Sequence, residues 1–273
     1  DYPAGEPLLV LLSGGASACV EVPTNGIGEA ELASRWRSLL ASGRPIEEVN
    51  RERSAWSRLK GGRLGRLLLE CTPSIRVWLL ADTDPASAPE TVGSGPFWLP
   101  EAPGRIPHHT LAHNGDLVAA AGLRLGTEGW SVYRHGERIT GEAERDVGAF
   151  LTALHRLPRD GPVALVGGGE PRVALPPDAP RGGRSQHAAL RAATWLRSNR
   201  SDALFAAFAS DGMDGSTDAA GAWVTAEDGG AGAEAALARF DAHGHLKARG
   251  RLVHVGATGT NVNDLWVALR PAP

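Results

Sequence analysis

Short apolar runs rich in β-formers alternate with helical segments along this chain, and nearly every run ends in glycine or aspartate. "PLLVLL" (7–12) stops at Ser13-Gly14-Gly15, and "SIRVWLLAD" stops at Asp82. "GPVALVGGGE" ends in Gly167-Gly168-Gly169-Glu170, and "ALFAAFA" runs into Ser210-Asp211-Gly212. Alternation of this kind specifies an α/β fold with mainly parallel strands and helices packed on the sheet. "PLLVLL" reads as a buried strand.

Between the strands, "EAELASRWRSLLASG" reads as a helix closed by Gly43, and Pro45 opens a second one that reaches about Leu59. The stretch "PFWLPEAPGRIP" (96–107) holds four prolines and is the best linker in the chain. It divides an N-terminal domain, 1–105, from a C-terminal domain, 106–273. Beyond it follow strand "HHTLAH", a helix from Gly115 to about Leu125, strand "WSVYRH", and helices over 142–156, 185–197 and 231–241. "DLWVALR" is the last strand.

Composition excludes several function classes. The net charge of -3 gives no basic surface for nucleic acid. No apolar run approaches the ~20 residues that span a bilayer, so no membrane partner is expected. Cys19 and Cys71 lie far apart without metal spacing, which points to a reducing, cytoplasmic setting. Glycine is abundant, 35 of 273 residues, and clusters after the apolar runs, where backbone must approach a ligand closely.

Four groups of residues carry chemistry. In open α/β sheets ligands bind outside the carboxyl ends of strands. Ser13-Gly14-Gly15-Ala16-Ser17 can form a nest of N–H groups for a phosphate or carboxylate, and Gly168, Gly169 and Glu170 stand at an equivalent strand end. In "PIEEVNRERSAWSRLKGGR", Asn50, Arg53, Ser57 and Lys60 share one narrow helical stripe beside the apolar Val49 and Trp56, while Glu48, Arg51 and Arg58 face the other way. A polar stripe next to the buried face points into a site, and Lys60, one of only two lysines, suits a phosphate. "APRGGRSQHAAL" sets Arg181 and Arg184 beside a helix N-terminus, with Gln186 in its first turn. "GATGTNVNDL" offers Thr258, Thr260, Asn261, Asn263 and Asp264 for hydrogen bonds to a polyhydroxy ligand. The histidines form no helical pair beside a glutamate, so no zinc site is expected.

In their order, "LLSGGASACVEVP", "NRERSAWSRLKGGRL", "GSGP", "GGE", "RGGRSQ", "SDGMDGSTDAAGA" and "ATGTNVNDL" resemble the type II glycerate 2-kinases, whose chains end in a MOFRL domain. The resemblance spans nearly the whole chain. It implies two Rossmann-like α/β domains with a cleft between them, and transfer of the γ-phosphate of ATP, with Mg²⁺, to the 2-hydroxyl of D-glycerate or a similar small hydroxy acid. By motif, the Ser13–Ser17 loop would cradle an anion and Arg53 and Lys60 would hold the γ-phosphate. Arg184 and loop amides would take the carboxylate, Asp211 or Asp214 would hold Mg²⁺, and Asp211 or Asp82 would accept the hydroxyl proton. Asp218 would be structural, in a helix capped by Thr217.

The pattern also departs from the family. A segment with a Gly-Lys-Ala motif would precede the first strand, and Ser54-Ala55 stand where the family has Lys-His. The family's acidic run after Asp82 is reduced to Thr83-Asp84-Pro85-Ala86-Ser87, and Ser185-Gln186-His187 replaces Asn-Gln-Glu. Two outcomes follow: the segment is supplied upstream or by another chain, or this is a degenerate relative that binds a ligand or partner without catalysis. Either predicts a homodimer or a partner chain covering the exposed edge. NAD-dependent reduction fits worst, since no Gly-x-Gly-x-x-Gly fingerprint follows the early strands.

Overall fold

The computed structural model describes residues 5–40, 44, 46–83 and 87–273, so Gly43, Pro45 and Asp84 lie outside the described residues. The chain forms two compact units, Asp1–His113 and Asn114–Pro273.

The first unit carries a three-stranded, all-parallel sheet in the order β1 (Leu8–Ser13), β2 (Ile75–Ala81), β3 (His108–His113). Helices α1 (Ala16–Cys19), α2 (Glu29–Leu40), α3 (Ile46–Ala55) and α4 (Arg63–Leu69) lie between β1 and β2, and α5 (Ala88–Thr91) follows β2. Ile75, Val77, Leu79 and Ala81 alternate along β2 and pack on Val92, Phe97, Leu99 and Ile106. The proline-rich stretch thus contributes core residues, and the strand after it completes the first sheet. The opposite face is open: Leu9 is 50% exposed, Leu11 70% and Trp78 39%. The first apolar run is therefore not a buried strand; its burial alternates because only one face of this sheet is covered by this unit. Helix α3 stops at Ala55, short of Leu59. Ser57 leaves the helix to bridge Pro23, and its Oγ accepts the amides of Leu59 and Lys60.

The second unit holds six strands in the order β4 (Ser131–Arg134), β5 (Val163–Gly169), β9 (Asp264–Arg270), β6 (Leu204–Ala209), β7 (Gly221–Val224), β8 (Leu252–Val253). Its helices are α6 (Asn114–Thr127), α7 (Ala143–Arg156), α8 (Arg184–Ser198), α9 (Ala231–Ala238) and α10 (Ala242–Ala248). Only β4 and β5 pair in parallel; the other pairings are antiparallel, against the mainly parallel expectation. The reason lies in the connections. A parallel neighbour needs a crossover, whereas β6 turns into β7 through a loop alone. That loop is the aspartate stretch, so the helix expected after Thr217 is absent.

β5 is buried throughout. Val163 and Leu165 face α7 and α8, and Val166 packs with Val118 of α6. Trp266 meets Phe150 and Phe205 edge-on at 5.6 and 5.4 Å in the centre of the larger core. Because β9 runs antiparallel between β5 and β6, Asp264 at its start lies opposite both Gly169 and Ala209. Two carboxyl strand ends and one amino end therefore meet at one place on the sheet.

Candidate active site

That meeting place organises the chemistry of the second unit. Arg184, the first residue of α8, reaches it from the helix N-terminus. Its Nε and Nη2 donate to the two oxygens of Asp264 at 2.8 and 3.1 Å, and Nη1 donates to Glu170 at 2.8 Å. Ser185 Oγ adds a contact to Asp264 at 3.3 Å. Asp264 is 1% exposed, while the Glu170 side chain is 50% exposed. A bidentate guanidinium–carboxylate pair fixes the plane of Arg184, and its remaining Nη1 is held by the half-exposed Glu170. Burial pushes the Asp264 carboxyl up to about 6, with Arg184 opposing the rise and Asp214 and Glu170 adding to it. Burial works against the charge of Arg184, but its hydrogen bonds to Asp264 and Glu170 outweigh that and hold it charged.

The glycines of this strand end admit side chains from elsewhere. A methyl group on Gly168 would lie 2.3 Å from Asn114 Oδ1. Buried Asn114 donates to the carbonyls of Val262 at 2.8 Å and Asp264 at 3.0 Å, tying the start of α6 to β9. Nothing in the sequence pattern marked Asn114 beyond its place between a strand and a helix.

The aspartate loop divides differently from expectation. Asp214 is 1% exposed, and its oxygens accept Ser185 N at 3.0 Å, Gln186 N at 2.8 Å and Gln186 Nε2 at 3.0 Å. A carboxylate on two amides at a helix N-terminus is a cap delivered from across the fold. Burial raises its pKa and these donors oppose the rise. Asp214 was expected as a Mg²⁺ ligand. Its oxygens are instead turned inward onto the amides of α8 and are buried. Gln186, expected on the ligand, also points inward: Nε2 donates to Thr217 Oγ1 at 2.8 Å and Oε1 meets His243 Nδ1 at 2.8 Å. Asp211 stays partly exposed at the end of β6, its Oδ1 accepting Met213 N at 3.0 Å. Among the described residues no three metal-type side chains cluster. Asp211 and Asp218 are the carboxylates of this loop that stay partly or fully exposed.

Thr258 clamps the neighbouring turn. Its Oγ1 donates to Ser210 O at 2.6 Å and its amide to Asp211 O at 3.1 Å, and Val262 N donates to Ser210 Oγ at 2.8 Å. Asn261 Oδ1 accepts Asn263 N at 3.0 Å, and Asn263 adopts φ +68. Thr260 is exposed on this turn and Asn261 partly so. Asp218 is solvent-exposed beside His254.

The first unit gathers the other predicted residues. Ser13 leaves β1 opposite Leu80, so the Ser13–Ser17 loop lies beside the end of β2. A methyl group on Gly14 would fall 1.5 Å from Asp82 Oδ2: the carboxylate packs on this turn, and Gly14 is required for it. Ser17 Oγ lies 2.9 Å from Ser94 Oγ. The guanidinium of Arg53 covers the Trp36 ring at 4.5 Å and donates to Ser17 O and Asn50 Oδ1, each at 3.4 Å. Its Nε is buried without a hydrogen bond among the described residues. Burial lowers the pKa of Arg53, with Glu21 opposing. The stripe of Asn50, Arg53, Ser57 and Lys60 does turn inward, with Glu48, Arg51 and Arg58 exposed. Lys60, however, is not presented to a ligand. It is 1% exposed, pairs with Glu21 at 2.5 Å and lies over Trp36 at 4.9 Å. Glu21 had no signal in the sequence, being 39 residues away in an irregular segment.

Residues 163–264 match the MOFRL family, and residues 2–111 match the family described as Domain of unknown function (DUF4147). The chain is 31% identical to a glycerate kinase of Macaca fascicularis, over 98% of this chain and 90% of that one. It is also 31% identical to a putative hydroxypyruvate reductase of Agrobacterium vitis, over 96% of this chain and 79% of the relative. The crystal structure of glycerate kinase from Thermotoga maritima, 26% identical, superposes with a TM-score of 0.80 over 97% of this chain and 73% of that chain.

Proposed function

Since the chain belongs to the MOFRL family of type II glycerate kinases, we propose that it transfers the γ-phosphate of ATP to the 2-hydroxyl of D-glycerate or a close hydroxy acid. One observation carries this reading: a partly exposed guanidinium locked by a buried carboxylate on one edge and paired with the half-exposed Glu170 on the other. An incoming phosphate or carboxylate oxygen displaces Glu170 and meets a cation whose orientation is already set. Phosphoryl transfer has a loose transition state, so catalysis is mainly positioning and charge.

Arg184 supplies that charge in the second unit. Asp264 and Ser185 orient it, Thr260 and Asn261 offer hydrogen bonds to hydroxyls, and Asp211 accepts the hydroxyl proton. Mg²⁺, when bound, would be held by phosphate oxygens and, through water, by Asp211, and would neutralise charge on the donor. In the first unit Arg53 and the amides of the Ser13–Ser17 loop form the second anion-binding group. Lys60 supports Arg53 through their shared Trp36 rather than touching substrate. Asp82, packed on Gly14, positions that loop. The NAD-reductase alternative lacks a dinucleotide fingerprint.

A catalytically silent, ligand-binding relative is the second reading, favoured by the burial of Lys60 against Glu21. Phosphorus NMR of the chain with D-glycerate, ATP and Mg²⁺ separates the two. The kinase reading expects a 2-phosphoglycerate signal that is absent in Arg184→Leu. Binding of both substrates without any phosphoester would leave the second reading standing.

A further inference from the structure

Next to Arg184 the second unit encloses a cavity of about 450 Å³ that the hydroxy-acid chemistry does not use. Resting on the kinase reading, we propose that this cavity seats the nucleobase of the phosphoryl donor, with Arg184 at its rim taking the adjoining phosphates.

The argument begins with size and polarity. Ligand cavities of ~300–1,000 Å³ with mostly apolar walls and a few polar groups hold molecules of nucleoside size. Here Val173, Leu175, Pro177, Pro180 and Phe240 form apolar walls. A three-carbon hydroxy acid has almost no apolar surface to bury there. A planar heterocycle has two apolar faces, and it is the one large apolar part of the donor. Leu175, which lines the cavity, is 62% exposed, an apolar side chain that an occupant would cover.

The walls are also held in advance of any ligand. Phe240 adopts φ +56, a strained setting for an aromatic residue, and stacks on His187 at 5.9 Å and 18°. His187 Nε2 is in turn fixed by Glu144 at 2.7 Å. On the other side, the Arg181 guanidinium donates to Ser216 O at 3.0 and 2.8 Å, and Ser216 N donates to Gly182 O at 3.0 Å. The loop before α8 and the aspartate loop are clasped together and do not collapse into the space. Arg184 lines the same cavity, so a base inside it places the first phosphates against the guanidinium that Glu170 otherwise covers.

Titration calorimetry of the full chain with ATP, adenosine, inorganic tripolyphosphate and D-glycerate tests this. Ala179→Trp fills the cavity from its partly exposed loop, and Leu175→Ala removes one wall without adding bulk. The proposal expects saturable adenosine binding that competes with ATP. It expects ATP to weaken at least about tenfold in Ala179→Trp and by a smaller factor in Leu175→Ala, while tripolyphosphate and D-glycerate are unchanged. ATP affinity that ignores both substitutions, parallel weakening of tripolyphosphate, or no competition by adenosine overturns it. Failure of the kinase reading looks different: no phosphate reaches D-glycerate, yet ATP binding still responds to Ala179→Trp. If only the base assignment fails, transfer proceeds and the KM for ATP in Ala179→Trp equals that of the parent.

Discussion

Truncating Asp214 to alanine separates a capping role from a metal-binding one. The carboxylate accepts two backbone amides and one side-chain amide at the start of α8, all buried. Loss of a helix cap costs ~1–2 kcal/mol, and each buried donor left without an acceptor costs ~1–3 kcal/mol. These effects overlap, because water can enter beside an alanine and satisfy part of the set. The burial that raises the pKa of Asp214 is itself unfavourable and is relieved on truncation. The net expectation is a loss of ~3 kcal/mol, above that of a cap alone because a buried side-chain amide also loses its acceptor. With a urea slope of ~2–3 kcal/mol/M for a unit of this size, the midpoint falls by ~1–1.5 M. Tryptophan fluorescence reports it through Trp195, Trp223 and Trp266, all in the second unit, and the titration is run with and without Mg²⁺. A midpoint that moves by less than ~0.3 M refutes the capping argument. So does Mg²⁺ that stabilises the parent but not Asp214→Ala.

Three further outcomes follow from the same geometry. Gly168→Ala places a methyl group 2.3 Å from Asn114 Oδ1 and 2.9 Å from Asp264 O. It should cost ~1–3 kcal/mol in thermal unfolding, and an unchanged Tm would show that Asn114 moves freely. Asp264 titrates at about 6 in the folded chain against ~3.9 unfolded. The folded state therefore binds the extra proton between those values, and stability falls as pH rises from ~4 to ~6, then levels. Asp264→Asn flattens that slope, leaving the smaller part in the same direction that buried Asp214 carries; a slope unchanged by the substitution assigns it to another group. Lys60→Met leaves Glu21 without its partner and should destabilise by ~3 kcal/mol with little effect on the KM for ATP, whereas Arg53→Ala raises that KM. A reversal of the two would place Lys60 on the phosphate.

The periodicity of the chain carried the α/β fold because strands with glycine and acidic ends leave a local trace, as in Gly167-Gly168-Gly169-Glu170. The inward stripe of α3 was legible for the same reason: Asn50 and Arg53 sit at helical spacing beside Val49. Contacts closed by topology left no such trace. Arg184 and Asp264 are 80 residues apart, and they meet because β9 enters antiparallel between β5 and β6. Asp214 looks like a surface ligand in a glycine-rich loop until that loop is seen folded back on α8. Lys60 was singled out by scarcity, a compositional signal blind to the carboxylate that Glu21 brings beside it. The exposed side of β1 was unreadable too, since "PLLVLL" is apolar on both faces and only the three-stranded sheet shows which face this unit covers.

Competing the two chemistries named among the relatives tests the central claim most directly. The chain is assayed with D-glycerate, ATP and Mg²⁺, and in parallel with hydroxypyruvate and NADH, each beside Arg184→Leu. The account predicts ADP and 2-phosphoglycerate in the first assay, lost in the variant, and no NADH oxidation in the second. NADH oxidation by a chain that makes no phosphoglycerate would contradict it.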